Sequence, residues 1–171
     1  MSNQHRPWER PLIEFVTSLE RLDAGGRARL RRNAGRTLGE ARDVHRVFFQ
    51  ALPYEVPEQR QEDYFLVATL FPLAPHRAGA GSLGTTLRRI RGDDERANSR
   101  DRRFQTLLDS DRDQLPFRLR QAVRLAAAGE QPVDWVALLG DMLGWEREGK
   151  PVQKRWARDY YVGARERPNA E

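Results

Sequence analysis

An all-α protein of about nine short helices is what this sequence predicts, and three observations carry that prediction. Apolar residues recur at spacings of three and four along almost the whole chain. No run alternates with period two for long enough to make a strand. The 10 prolines and 13 glycines fall largely between the periodic stretches and cut them into short pieces. With 171 residues, the chain suits one domain or two small halves sharing a core.

The first helix carries the stripe Trp8, Leu12, Phe15, Val16, Leu19 and Leu22, with Pro7 or Pro11 near its start and Gly25-Gly26 at its stop. A second, short and arginine-rich, covers Arg27 to Ala34. A third runs from about Arg42 to Leu52 and halts before Pro53. Pro57 fits the first turn of a fourth, which bears Tyr64, Phe65, Val67, Ala68 and Leu70 and ends before Pro72. Pro72 to Gly81 reads as a loop. Ser82 caps a fifth helix reaching Ile90, and Gly92 to Asn98 is a polar break. Ser99 caps a sixth, with Phe104, Leu107 and Leu108. A tight corner at Asp109–Asp113 leads to a seventh from about Gln114 to Ala128, stopped by Gly129. Pro132 and Asp134 open an eighth through Val136, Leu139, Met142 and Leu143. Pro151 opens a ninth to about Val162. The expected organisation is an N-terminal helical half over 1–78 packed against a C-terminal half over 79–165, with a frayed tail over 166–171.

The longest stretch without a charge, Tyr64 to His76, is too short and too proline-broken to span a bilayer. The first seven residues lack an apolar signal core, so a cytoplasmic protein is expected. The absence of cysteine excludes disulfides, thiolate metal sites and cysteine catalysis.

The net charge is +5, from 30 Lys+Arg against 25 Asp+Glu, and all but Lys150 and Lys154 of the cations are arginine. A GC-rich genome explains that ratio at least as well as function does. Segregation along the chain is a better signal. Residues 1–52, 81–124 and 150–171 are basic (+4, +4 and +3); residues 53–80 and 125–149 between them are acidic (-2 and -4). Folding such blocks can merge basic faces into a footprint for nucleic acid or make complementary contacts between subunits. Solvated faces that pair internally are the bland alternative.

Motifs with apparent chemistry fail their context. Gly79, Gly81 and Gly84 satisfy G-x-G-x-x-G, but prolines rather than a strand precede them. Asp109, Asp111 and Asp113 imitate a calcium loop that lacks its glycine and its closing glutamate; capping and pairing with Arg112 or Arg118 fit better. His5, His45 and His76 are too scattered for a metal site. No nucleophile elbow or carboxylate pair stands out, so neither an enzyme nor a cofactor is expected. The aromatics fall mostly on buried stripes and do not interleave with the arginines, which favours backbone tracking over base reading.

From about Ser82 to Tyr161 the sequence resembles the CasB family, the small subunit of the type I-E CRISPR surveillance complex Cascade. The likeness rests on Arg102-Arg103-Phe104 through Leu107-Leu108 and Asp111-Arg112 to Leu119-Arg120, on Ser82-Leu83-Gly84, and on Val133-Asp134-Trp135 with Met142-Leu143-Gly144-Trp145. Arg155-Trp156-Ala157-Arg158-Asp159-Tyr160-Tyr161 extends it. Earlier in the chain it thins to Leu30-Arg31-Arg32 and the apolar helix after Arg60.

The resemblance implies a subunit without catalysis that lies as a pair of copies along a crRNA-guided complex, touches nucleic-acid backbone and helps hold opened target DNA. Its implied partners are other Cascade subunits, crRNA, target DNA including the displaced strand, and a second copy of itself; no membrane is implied. Carried onto this chain, the binding role falls on Arg31, Arg32, Arg60, Arg102, Arg103, Arg112, Arg118, Arg120, Lys154, Arg155 and Arg158. Two rivals stay open. One is a spacer that docks neighbouring subunits without meeting nucleic acid. The other is a free-standing helical DNA-binding protein, with Gly25-Gly26 joining two helices.

Overall fold

A computed structural model describes residues 6–75 and 79–163. His5, His76, the 78/79 division and the tail over 166–171 lie outside or at the edge of those residues. Nine α-helices and three short 3-10 turns, with no strand, make up the described residues. They are α1 (Arg10–Glu20), α2 (Ala24–Arg32), α3 (His45–Ala51), α4 (Gln61–Leu70), α5 (Leu83–Arg91), α6 (Ala97–Leu108), α7 (Leu115–Ala128), α8 (Trp135–Leu143) and α9 (Pro151–Tyr161). None is long and apolar enough to cross a membrane.

Several boundaries follow from single residues. The Ser82 hydroxyl accepts from the Thr85 N–H and starts α5. Asp134 does the same for α8 through the Ala137 N–H at 2.9 Å. Pro116 and Pro151 sit in first turns, where an absent N–H costs nothing. Gly129 closes α7.

Three expectations are corrected. Gly25 and Gly26 do not stop the first helix. The Asp23 carboxylate accepts from the Gly26 N–H at 2.7 Å and caps α2, which places both glycines in its first turn. That removes the Gly-Gly linker on which the free-standing regulator leaned. Ser99 does not cap α6, which begins two residues earlier. Asp94 accepts from the Arg96 N–H at 3.0 Å and from the Arg100 guanidinium at 2.9 Å, and so organises the entry instead. Trp8 leaves the α1 stripe. It lies in the 3-10 turn Pro7–Glu9, whose tighter winding turns it 58% into solvent, while Leu12, Phe15, Val16 and Leu19 are buried.

One continuous hydrophobic core joins both parts of the chain. Its centre is α4, buried at every residue from Asp63 to Leu70, as the long uncharged stretch requires. α8 crosses from the later part of the sequence to pack on α1 and α4. α5 packs chiefly on α9, with α7 and α6 alongside. Gly84 allows the α5–α9 crossing, because a Cβ there would lie 2.4 Å from the Trp156 carbonyl oxygen. A Cβ on Gly79 would lie 2.5 Å from the Asp134 nitrogen. Close packing at two of the three positions therefore accounts for glycines that mimicked a dinucleotide loop.

Candidate nucleic-acid interface

The predicted cations fall into three groups and an exposed pair on α9. The first group serves the fold. Arg112 donates to the carboxylate of Asp63, which is only 2% exposed, and its Nε lies 3.4 Å from Glu146. Burial pushes the Asp63 carboxyl up, against the pull of the Arg112 guanidinium. Arg155 pairs with buried Asp141, whose other oxygen accepts from the Trp156 indole N–H at 2.7 Å. Burial raises the Asp141 carboxyl too, opposed by Trp156 and Arg155. Arg155 does not pair with Asp159, one turn on in α9, which accepts from the Ser82 hydroxyl at 2.6 Å. The Asp109–Asp113 corner likewise does not hold Arg112. Asp111 caps the Gln114 N–H at 3.0 Å, and Asp109 accepts from the Gln105 amide. Arg60 donates to the Leu143 carbonyl at 2.8 Å and ties the start of α4 to the end of α8.

The second group gathers around α2 and α7. Arg31 and Arg32 lie exposed in the last turn of α2, where cations suit the helix dipole. Arg120 reaches from α7 to the Ala34 carbonyl at 3.5 Å, just beyond that turn. Arg120 thus ends close to the backbone just past the turn that carries Arg31 and Arg32. Lys154 and Arg158 stand one turn apart on the exposed side of α9, opposite Val152, Trp156 and Tyr160.

The third group forms a cleft. α6 contributes Arg100, Arg102 and Arg103, and α7 contributes Phe117, Arg118 and Arg124, around a volume of about 550 Å³. Its floor is apolar, from Leu87, Leu107, Leu125 and Phe104, and no carboxylate lines it. Arg118 braces one end by donating to the Thr106 carbonyl at 2.8 Å, rather than pairing with the acidic corner. Arg102, Arg103 and Arg124 form no ion pair among the described residues.

Beneath the cleft, Arg91 grips Asp101 with two bonds of 2.8 and 3.0 Å, and the Tyr160 hydroxyl donates to the same carboxylate at 2.7 Å. The bonds from Arg91 hold the Asp101 carboxyl below the usual range. Phe104 stacks on Tyr160 with ring centroids 4.0 Å apart. The floor is thereby fixed to α5 and α9, and the carboxylate beneath it is engaged by Arg91 and Tyr160 rather than by the arginines of the cleft.

Three cleft residues escaped the sequence-based site. Arg100 and Arg124 had no counterpart in the family-like motifs. Phe117 is 62% exposed although most aromatics are buried as expected. Its signal was present: it falls outside the Leu115, Leu119, Val123 stripe and directly precedes Arg118.

Residues 26–161 match the family model for the CRISPR-associated protein Cse2. The chain is 39% identical over 127 residues to the CRISPR-associated protein Cse2 of Thermus thermophilus, covering 68% of this chain and 72% of that protein. A crystal structure of CasB from Thermus thermophilus superposes with a TM-score of 0.74 at 33% identity, covering 92% of this chain and 99% of that one. A chain of E. coli Cascade bound to a PAM-containing dsDNA target is alike in fold, with a TM-score of 0.65 at 20% identity over 90% of this chain and 97% of that one.

Proposed function

The chain belongs to the CRISPR-associated Cse2 family, also called CasB, and from that premise we propose that it is a non-catalytic small subunit of a crRNA-guided, type I-E Cascade complex. In this role its basic cleft holds opened target DNA. The observation that carries the proposal is the cleft between α6 and α7, lined by five arginines, of which Arg100 pairs with Asp94 at its edge and Arg102, Arg103 and Arg124 form no ion pair among the described residues. Such a site favours a polyanion, and arginine forks suit phosphate oxygens. Arg31, Arg32 and Arg120 add cations at the end of α2, and Lys154 and Arg158 form an exposed pair on α9. Arg60, Arg112 and Arg155 act mainly as braces.

Pairing of guide RNA with target DNA exchanges one duplex for another at nearly equal energy. Contacts to the backbone of the released strand then decide the balance. Each phosphate neutralised on a single strand steepens the log–log salt dependence by roughly 0.7. Self-association and contacts to other Cascade subunits and crRNA belong to the same proposal.

The test is the double reversal Arg102→Glu with Arg103→Glu in the assembled complex. Target-DNA affinity is expected to fall and the salt slope to flatten by about 1.4. Full incorporation with unchanged affinity and slope would establish the spacer instead.

A further inference from the structure

We propose that the α6–α7 cleft takes one unpaired nucleotide of single-stranded DNA, with its base stacked on Phe117 and its flanking phosphates on Arg102, Arg103 and Arg124. The proposal rests on the nucleic-acid role above and sharpens it from backbone tracking to base capture.

The fold itself makes little use of the Phe117 ring. α7 buries Leu115, Leu119, Val123 and Ala126 on its inner side, whereas Phe117 is 62% exposed at the mouth of the cleft. Phe117 shares its cleft with Arg102, Arg103 and Arg124, so a ligand with a flat face and negative charge would cover the ring and meet the cations together. A volume of about 550 Å³ lies within the range of about 300–1,000 Å³ typical of ligand sites. The apolar floor would accept the edge of a base, and the arginines at the mouth would meet phosphate.

A duplex cannot satisfy both demands, because its bases are stacked and paired inside. An unpaired strand offers a free aromatic face to any neighbour, whatever its sequence. A purely apolar protein helix would leave the cations without partners. Charge and aromatic exposure together thus fit a single strand.

The experiment compares two oligonucleotide probes of equal length: a thymidine strand and an abasic strand with the same phosphates. Each is titrated against the wild-type full chain, Phe117→Ala and Arg102→Glu/Arg103→Glu. Wild type is expected to bind the thymidine strand about 5- to 150-fold more tightly than the abasic one. Phe117→Ala should bind both at the abasic level and keep the wild-type salt slope. Because the ring is exposed, its removal should leave the fold intact, and a thermal melt checks this.

Equal affinity of wild type for the two probes overturns base capture. So does base discrimination that survives in Phe117→Ala. In either case the nucleic-acid role stands if the arginine reversal still weakens binding. Loss of complex assembly in Phe117→Ala, with unchanged DNA binding, assigns the ring to a protein neighbour and also overturns the proposal. Failure of wild type to bind either probe, with no effect of the reversal in the complex, removes both.

Discussion

The indole N–H of Trp156 donates to Oδ2 of Asp141 at 2.7 Å, so one buried carboxylate on α8 fixes the position of α9. Trp156→Phe keeps most of the ring and removes the donor. The expected cost is at least about 1–3 kcal/mol, because a buried oxygen loses its partner and the smaller ring leaves a cavity beside it. Denaturant unfolding measures it; an unchanged midpoint would show that the bond contributes nothing.

Gly84 gives a prediction whose sign separates two effects. Helix propensity alone makes Gly84→Ala stabilising by about 1 kcal/mol. The Cβ, however, would meet the Trp156 carbonyl oxygen at 2.4 Å, and backbone cannot step aside cheaply. Net destabilisation of about 1–3 kcal/mol is expected. A raised melting temperature would contradict the close crossing of α5 and α9.

Arg112 should act on stability rather than on DNA. Arg112→Met leaves Asp63 buried without its cation. Loss of one partner in a buried pair costs about 3–5 kcal/mol, and partial exposure of Arg112 at 38% reduces this to roughly 2–3 kcal/mol. In complex that remains assembled, the DNA salt slope should match wild type. A slope change equal to that of the Arg102/Arg103 reversal would move Arg112 into the interface.

Asp101 supplies a pH dependence. Its carboxyl is lowered in the folded chain, first by the hydrogen bonds from Arg91. The stabilisation is therefore present above the ordinary carboxyl value of about 3.9 and is lost as pH falls through the lower folded value. Asp101→Asn should melt below wild type at neutral pH, and the gap should close in acid. Parallel melting curves across that range would refute the linkage.

The parts of the fold readable in the sequence were those set by one local residue. Ser82, Asp134, Gly129 and Pro151 each act within a single turn, so residue type alone placed them. Gly25-Gly26 misled because the Asp23 cap outweighs the usual preference of glycine for helix ends. For the cations, type and clustering were visible but partners were not. Arg112 finds Asp63 49 residues away, and the cleft needs α6 and α7 packed side by side. Phe117 could have been noticed as an aromatic off its helix's apolar stripe.

The crossing of Gly84 beneath Trp156 also bears on how the protein is made. Residues of α5 emerge from the ribosome well before α9, so their contact surface must wait for a late-arriving partner. Until then the face of α5 that α9 covers stays open to water and to other nascent chains. Slow translation between these helices should therefore lower the yield of soluble protein more than an equal pause within the α1–α4 region.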